Sequence, residues 1–258
     1  MTDLQTYLDF ARDVAWEAGR LTLGYYQTSL RPDFKADESP VTVADREAEK
    51  LIRARIEEKF PGHAIIGEEF GDSGRASSHR WIIDPIDGTR SFVRGVPLYA
   101  VLIGLEIEGK CEVGVANFPA LGEMVSAGSG LGCWWNGRRA RVSAVERLEQ
   151  ALVSHYDVAA FDKSGKQAVL EQLKKTANYR VGWCDAYGYL LVATGRAELM
   201  LDPMMNPWDC APFPPILSEA GGYFGDWRGN VNIYAGEALG TTQKLLPQVL
   251  QITGGSAK

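Results

Sequence analysis

The stretch Trp81-Ile82-Ile83-Asp84-Pro85-Ile86-Asp87-Gly88-Thr89 tells most about this 258-residue chain. An apolar run, read as a buried strand, leads straight into Asp84, and Pro85 cannot continue a sheet ladder. Asp87 then precedes Gly88 and Thr89, a combination suited to a tight turn entering a helix. Such a turn exposes backbone N–H groups, and a helix start there attracts an anion. Two carboxylates beside an anion would repel it unless a cation lies between them. Hard oxygen ligands together with phosphate are the usual setting for magnesium. Asp-Pro and Asp-Gly are also common turn pairs, and Asp87 alone would serve equally well as a helix cap. The longer string, with acids elsewhere to match it, points to a metal and a phosphate.

Three further acidic positions match it. Gly67-Glu68-Glu69-Phe70-Gly71 follows the apolar run Ala64-Ile65-Ile66. Glu68, beside the strand end, is the better ligand candidate, while Glu69 fits a solvated acidic loop. Asp209, in Pro207-Trp208-Asp209, precedes a presumed helix and is equally readable as its N-cap. Thr42 with Asp45 three residues on has the form of a capping box, a purely structural role that competes with any catalytic one.

Around these positions the chain alternates helical and strand patterns. Leu4, Leu8, Ala11, Ala15 and Ala18 recur at steps of three and four, with Thr2 and Gln5 matching a capping box and Gly24 marking a break. A second helix is expected from near Thr42 to Pro61-Gly62, with Ala48, Leu51, Ile52 and Ile56 on one face. Short apolar runs at 64–66, 81–83, 99–105, 112–116 and 124–127 read as strands. Beyond residue 145 the pattern predicts strands at 152–154 and 197–201 and helices over 164–176, 187–194 and 208–220. The last ends at Gly221-Gly222, and Pro214 and Pro215 should kink or delay it. Mixed elements without strict βα alternation imply an α+β layered fold. The expected division is 1–145, with most metal ligands and the phosphate site, and 146–258, with Asp209 and the substrate-specificity residues.

Composition sets the outer limits. Hydrophobic residues make up 45 % and charged ones 23 %, which excludes a disordered or collagen-like chain. Lys+Arg 27 against Asp+Glu 33 gives a net charge of −6, a poor match for nucleic acid or an anionic membrane. No apolar run approaches the roughly 20 residues that span a bilayer, and no secretory signal is visible. Cys111, Cys133, Cys184 and Cys210 form no Cys-x-x-Cys pair and are expected as reduced thiols in a cytoplasmic protein.

Taken together, Gly67-Glu68-Glu69, Asp84-Pro85-Ile86-Asp87-Gly88-Thr89 and Trp208-Asp209 with Glu219-Ala220-Gly221-Gly222 resemble the inositol monophosphatase family of magnesium-dependent, lithium-sensitive phosphatases. The resemblance covers nearly the whole chain. It implies a layered α-β-α-β-α sandwich, the fold shared with fructose-1,6-bisphosphatase-like sugar phosphatases, with two or three Mg²⁺ ions per site. Carried onto matching positions, Glu68, Asp84 and the Ile86 carbonyl would hold one metal, Asp84, Asp87 and Asp209 a second, and Glu68 a weaker third. The N–H groups of Gly88 and Thr89 would bind phosphate. Thr89, Asp45 and Glu68 would orient and deprotonate the attacking water, and Lys35 would help to close the site. A homodimer is implied by the same resemblance.

Within the family, Arg90 to Pro97 and the segment Gly182 to Glu198 look like the histidinol-phosphate phosphatase branch. An ammonium and an imidazole on such a small-molecule phosphate ester call for acids and aromatic faces. Asp185 and Asp202 are the candidate acids, with Tyr187 or Trp183 near them and Arg94 a further candidate contact. The alternatives are an inositol-1-phosphatase or broad sugar-phosphate phosphatase, and a non-catalytic metal- or phosphate-binding regulator. A nucleotide-binding kinase is disfavoured because the chain has no Gly-x-x-x-x-Gly-Lys-Ser/Thr string. His63, His79 and His155 stand in none of the motifs, which disfavours a phosphohistidine mechanism.

Overall fold

The computed structural model describes residues 3–28, 31–34 and 40–254. In its first half lie α1 (Leu4–Tyr25), β1 (Asp33–Phe34), β2 (Pro40–Val41), α2 (Val43–Lys59), β3 (Ala64–Gly67), β4 (Gly71–Asp72), β5 (His79–Asp87), α3 (Thr89–Val93), β6 (Ala100–Ile107), β7 (Lys110–Phe118), β8 (Glu123–Gly128), β9 (Gly132–Trp135) and β10 (Arg138–Arg139). The second half adds β11 (Leu152–His155), α4 (Val158–Lys163), α5 (Gln167–Thr176), β12 (Tyr179–Val181), α6 (Ala186–Ala193), β13 (Leu199–Asp202), α7 (Pro207–Cys210), α8 (Phe213–Glu219), β14 (Gly222–Gly225), β15 (Ala238–Thr242) and α9 (Leu246–Thr253).

Strand alternation builds the layers. An eight-stranded sheet runs β10-β9-β8-β7-β6-β5-β3-β4, antiparallel except where β3 lies parallel to β5. On β5, Trp81 and Ile83 face one way and pack with Ala11, Ala15, Ile52 and Ile56 of α1 and α2. Ile82, between them, faces the other way and joins Tyr189, Phe213 and Ile216 of α6 and α8. The five-stranded sheet, β12-β11-β13-β15-β14, covers the far side of α6 and α8. Met200 of β13 points into that shared core. Its neighbours Leu199 and Leu201 point outward, against Phe161, Leu170 and Val249 of α4, α5 and α9. The order is therefore α-β-α-β-α, as the family resemblance implied.

Several local expectations are corrected. The α1 cap is Asp3, whose Oδ1 accepts the Thr6 N–H at 2.8 Å, while Gln5 reaches forward to Asp9. Thr2, the expected cap, lies outside the described residues. Gly24 does not end the helix, because the Tyr26 N–H still bonds Thr22 O at 3.0 Å. Pro85 does not end β5 either. The strand runs to Asp87 with its register shifted between Asp84 and Asp87, where a missing donor is tolerated. The helix expected over 208–220 is two helices, broken at Ala211-Pro212, because Pro212 supplies no N–H to close the turn. Gly104 and Gly114, paired across β6 and β7, leave room for the Ala211-Pro212 backbone where a Cβ on either would overlap it. That close approach seats α7, and with it Asp209, beside the end of β5.

Among the described residues no helix is long and apolar enough to cross a membrane. The four cysteines are free thiols.

Candidate active site

A cleft of about 160 Å³ opens at the end of β5, between the eight-stranded sheet and the second half of the chain. Its floor is acidic. Asp84, Asp87 and Asp209 each offer a carboxylate oxygen, and these oxygens lie within 4.8 Å of one another. Glu68, one residue beyond β3, lines the same cleft, as do Ile86, Gly88 and Thr89.

The three aspartates are each held by a backbone N–H. Asp84 Oδ1 accepts the Ile86 N–H at 2.9 Å across the bulge. Asp87 is not a helix cap: the N-cap of α3 is Gly88, in the left-handed conformation, with no side-chain cap. Asp87 Oδ2 instead accepts the Ala186 N–H at 2.8 Å, tying β5 to the start of α6. Asp209 and Asn206 form a capping box, with the Asn206 N–H donating to Asp209 Oδ2 at 2.7 Å. Thr42 and Asp45 form another, in which Asp45 Oδ2 accepts the Thr42 N–H at 2.8 Å. In both boxes the structural role leaves the carboxylate turned towards the site. Asp45 Oδ1 accepts from the Thr89 hydroxyl at 3.2 Å, and Thr89 Oγ1 also lies 3.0 Å from Ile86 O.

Clustered burial pushes the pKa values of these carboxylates up. Burial drives Asp84 well above the usual carboxylate range, and the charges of Glu68, Asp87 and Asp209 add to it. Asp87 moves the same way, first by burial and then by Asp185 and Asp209, against the Ala186 N–H. Asp209 is pushed up to about 7, mainly by burial, with the Asn206 N–H opposing. Asp45 is raised by burial too, against its two bonds from Thr42. Such a group is costly to keep together without a cation, and its donors are all oxygen. Asp84, Asp87 and Asp209 could hold a metal ion.

The far wall is built by the second half. Asp202, at the end of β13, is 2 % exposed, and its Oδ1 is buried with no hydrogen-bond partner among the described residues. Burial raises it well above the carboxylate range, with Asp185 and Asp209 adding. Asp185 is raised to about 6 by burial, partly countered by its own backbone and by Arg90. Gly88 faces it closely: a Cβ on Gly88 would stand 2.8 Å from Asp185 Oδ2. The expected aromatic neighbours are elsewhere. Tyr187 packs edge-on against Phe118 and Trp183 is 43 % exposed, and neither lines the cleft. Arg94 is exposed, with Nη1 3.4 Å from Arg90 O, and is also outside the lining. Lys35 lies outside the described residues.

Tyr156, Tyr189 and Arg90 line the cleft in their place. Arg90 is the residue after Thr89 and opens the Arg90-to-Pro97 segment that carries the branch resemblance, where nothing singles it out as a contact. Tyr156 follows β11 as Asp202 ends β13, and these two strands are parallel. Ligand sites gather at the carboxyl ends of parallel strands, and that signal would have found Tyr156.

The model of the inositol monophosphatase family matches residues 3–254. The chain belongs to the inositol monophosphatase family. A protein named histidinol-phosphatase from Chlorobaculum parvum is 47 % identical over 90 % of both chains. One of the same name from Mycobacterium tuberculosis is 36 % identical over 96 % of both. Among solved structures of this family, the extragenic suppressor protein SuhB of Bartonella henselae superposes with a TM-score of 0.89 at 28 % identity, covering 96 % of this chain and 98 % of its own. The inositol monophosphatase from Anabaena gives 0.86 at 28 %, covering 97 % and 96 %. The chain is accordingly a phosphatase of this family, with the acidic cluster at its centre.

Proposed function

We propose that the protein hydrolyses L-histidinol phosphate to L-histidinol and phosphate, a step of histidine biosynthesis, with Mg²⁺ in the acidic cluster. The similarity over 90 % of the chain to a protein named histidinol-phosphatase carries the substrate assignment. The wall formed by Asp185 and Asp202 supports it, because these acids suit the ammonium and imidazole of the leaving group better than the hydroxyls of inositol.

The residues divide the work between them. Glu68, Asp84, the Ile86 carbonyl, Asp87 and Asp209 would hold two or three ions. When bound, the metal would supply positive charge to the phosphate and leaving oxygen and acidify a bound water. The Gly88 and Thr89 N–H groups would seat the phosphate. The Thr89 hydroxyl, within reach of both Asp45 Oδ1 and the Ile86 carbonyl, would orient the attacking water through its oxygen. The water proton would pass towards Glu68 or along Thr89 to Asp45, whose burial makes it a stronger base than a surface carboxylate. Residues 1–145 would thus supply metal and phosphate binding, and 146–258 would supply Asp209 and the substrate end. Lithium sensitivity, a homodimer, a cytoplasmic location and closure by Lys35 belong to the same proposal and rest on family membership.

The test is phosphate release with Mg²⁺ from histidinol phosphate, inositol-1-phosphate, fructose-1,6-bisphosphate and adenosine 3′,5′-bisphosphate in parallel. A clear kcat/KM advantage for histidinol phosphate is expected. Equal rates on inositol-1-phosphate would reduce the assignment to a broad family phosphatase, and no release from any substrate would overturn it.

A further inference from the structure

Glu49 is a fully buried acid that the catalytic scheme above does not use. It sits one turn after Asp45 on α2 and is 0 % exposed. A buried carboxylate is costly unless its lone pairs are filled, and those of Glu49 are filled by one loop and one arginine. Its Oε2 accepts the Glu69 N–H at 2.7 Å, and its Oε1 accepts the Phe70 N–H at 3.2 Å and Arg53 Nε at 2.8 Å. Arg53, one turn further along, also donates to Gly71 O. The turn Gly67-Glu68-Glu69-Phe70-Gly71 is therefore grasped from its inside by two consecutive turns of α2. Gly67 permits the grip, since a Cβ there would overlap the Glu49 carboxylate.

From this geometry we infer that Glu49, supported by Arg53, is a positioning residue that sets the orientation of Glu68 in the metal site. The inference rests on the proposed metal role of Glu68. Asp45 and Glu49, four residues apart on one face of α2, do parallel jobs. The first binds Thr89 at the end of β5, and the second binds the amides just after Glu68 at the end of β3. The helix thereby aligns groups from two separate strand ends. Charge-assisted bonds to backbone N–H groups are the strong kind, and they fix the turn in a way that side-chain packing would not. Loss of a residue that orients a metal ligand typically costs roughly 10–100-fold in metal affinity or activity.

The experiment compares the full-length parent with Glu49→Ala, Glu49→Gln, Gly67→Ala and the Glu49→Ala/Gly67→Ala double variant. Calorimetric Mg²⁺ titration without substrate, amide hydrogen exchange at Glu69 and Phe70, and kcat for histidinol phosphate are read on each. Glu49→Ala is expected to weaken Mg²⁺ binding roughly 10–100-fold and to speed exchange at both amides, with KM moved less than kcat. Glu49→Gln keeps one acceptor oxygen and should fall between Glu49→Ala and the parent. Gly67→Ala should mimic Glu49→Ala, and its added effect should shrink in the double variant, where the overlapping carboxylate is gone. Phosphate release that Asp84→Asn abolishes but Glu49→Ala leaves within threefold would overturn the inference while the phosphatase reading stands. A parent that neither binds Mg²⁺ nor releases phosphate would overturn that reading and the inference resting on it.

Discussion

Asp84→Asn should make the metal-free protein more stable and the enzyme inactive. Oxygens of Asp84, Asp87 and Asp209 lie within 4.8 Å of one another. At an effective dielectric constant near 20, two unit charges at that distance repel by about 3.5 kcal/mol. Burial and mutual repulsion raise the pKa values of these carboxylates, which offsets part of this, so relief of about 2 kcal/mol is the expected gain at pH 8. The Asn carbonyl can still accept the Ile86 N–H, which Asp84 now takes at 2.9 Å, so no hydrogen bond is lost to offset the gain. For a chain of this size about 2 kcal/mol corresponds to a rise in Tm of roughly 4–8 °C. Saturating Mg²⁺ reverses the order. Binding at a thousandfold excess over Kd stabilises the parent by about 4 kcal/mol, and the variant, short of one ligand, gains far less. Phosphate release should fall about 10³-fold, equivalent to about 4 kcal/mol of transition-state stabilisation. Scanning calorimetry with EDTA and then with Mg²⁺, beside a phosphate-release assay, reads all three. A metal-free variant that melts below the parent, yet still shifts upward with Mg²⁺ as far as the parent does, would refute the reasoning.

Thr89→Val should lower kcat by roughly 10²–10³ with little change in KM, and Thr89→Ser should recover most of it, if the hydroxyl beside Asp45 and Ile86 O orients the water as proposed. Gly88→Ala places a Cβ at φ 79° and 2.8 Å from Asp185 Oδ2. A loss of about 1–2 kcal/mol in denaturant unfolding is expected from the left-handed backbone, with a lower kcat/KM as Asp185 is displaced. Gly88→Asn, which tolerates that backbone, should regain stability but not activity. The third expectation concerns pH. Asp209 has a folded pKa raised from 3.8 to about 7, so its protonated form favours the folded metal-free protein. That contribution is complete below pH 4 and is lost as pH rises through 7. Metal binding needs the carboxylate, so calorimetry should give tighter Mg²⁺ binding at pH 8 than at pH 6, with fewer protons released per ion. Asp209→Asn should flatten both trends.

The first half of the chain is legible because its patterns are long. Of the predicted face of α2, Ala48, Ile52 and Ile56 are buried and Leu51 is half-buried, and each apolar run between 64 and 127 forms a strand. The second half hides more. β12, β14 and β15 are three to five residues long, and β14 and β15 take their burial from a sheet covered on both faces, so no alternation marks them. The helix α9 has no side-chain cap ahead of it, and Pro247 in its first turn is the signal that would have found its start. In the site, the acids are readable because each stands at a strand end or a helix start, where backbone geometry leaves sequence marks. The cleft's far wall is less so. Tyr187 and Tyr189 are two positions apart on α6 and so face differently, and only the packing of that helix decides which one reaches the cleft.

Glu49 shows why a catalytic scaffold is harder to read than its ligands. Asp45, Ala48, Glu49, Ile52 and Ile56 are all buried and recur at steps of one, three and four, so two acids lie on the apolar stripe of α2. An acid on such a stripe is buried against a partner or is misplaced, and the helical periodicity alone poses that choice. Asp45 stands out because its capping partner Thr42 lies three residues away. Arg53, four residues on, is a partner that the sequence shows, but the other partners of Glu49 are backbone amides twenty residues on, which residue identity does not mark directly. Gly67 is the one trace they do leave, since a carboxylate occupies the space its side chain would need.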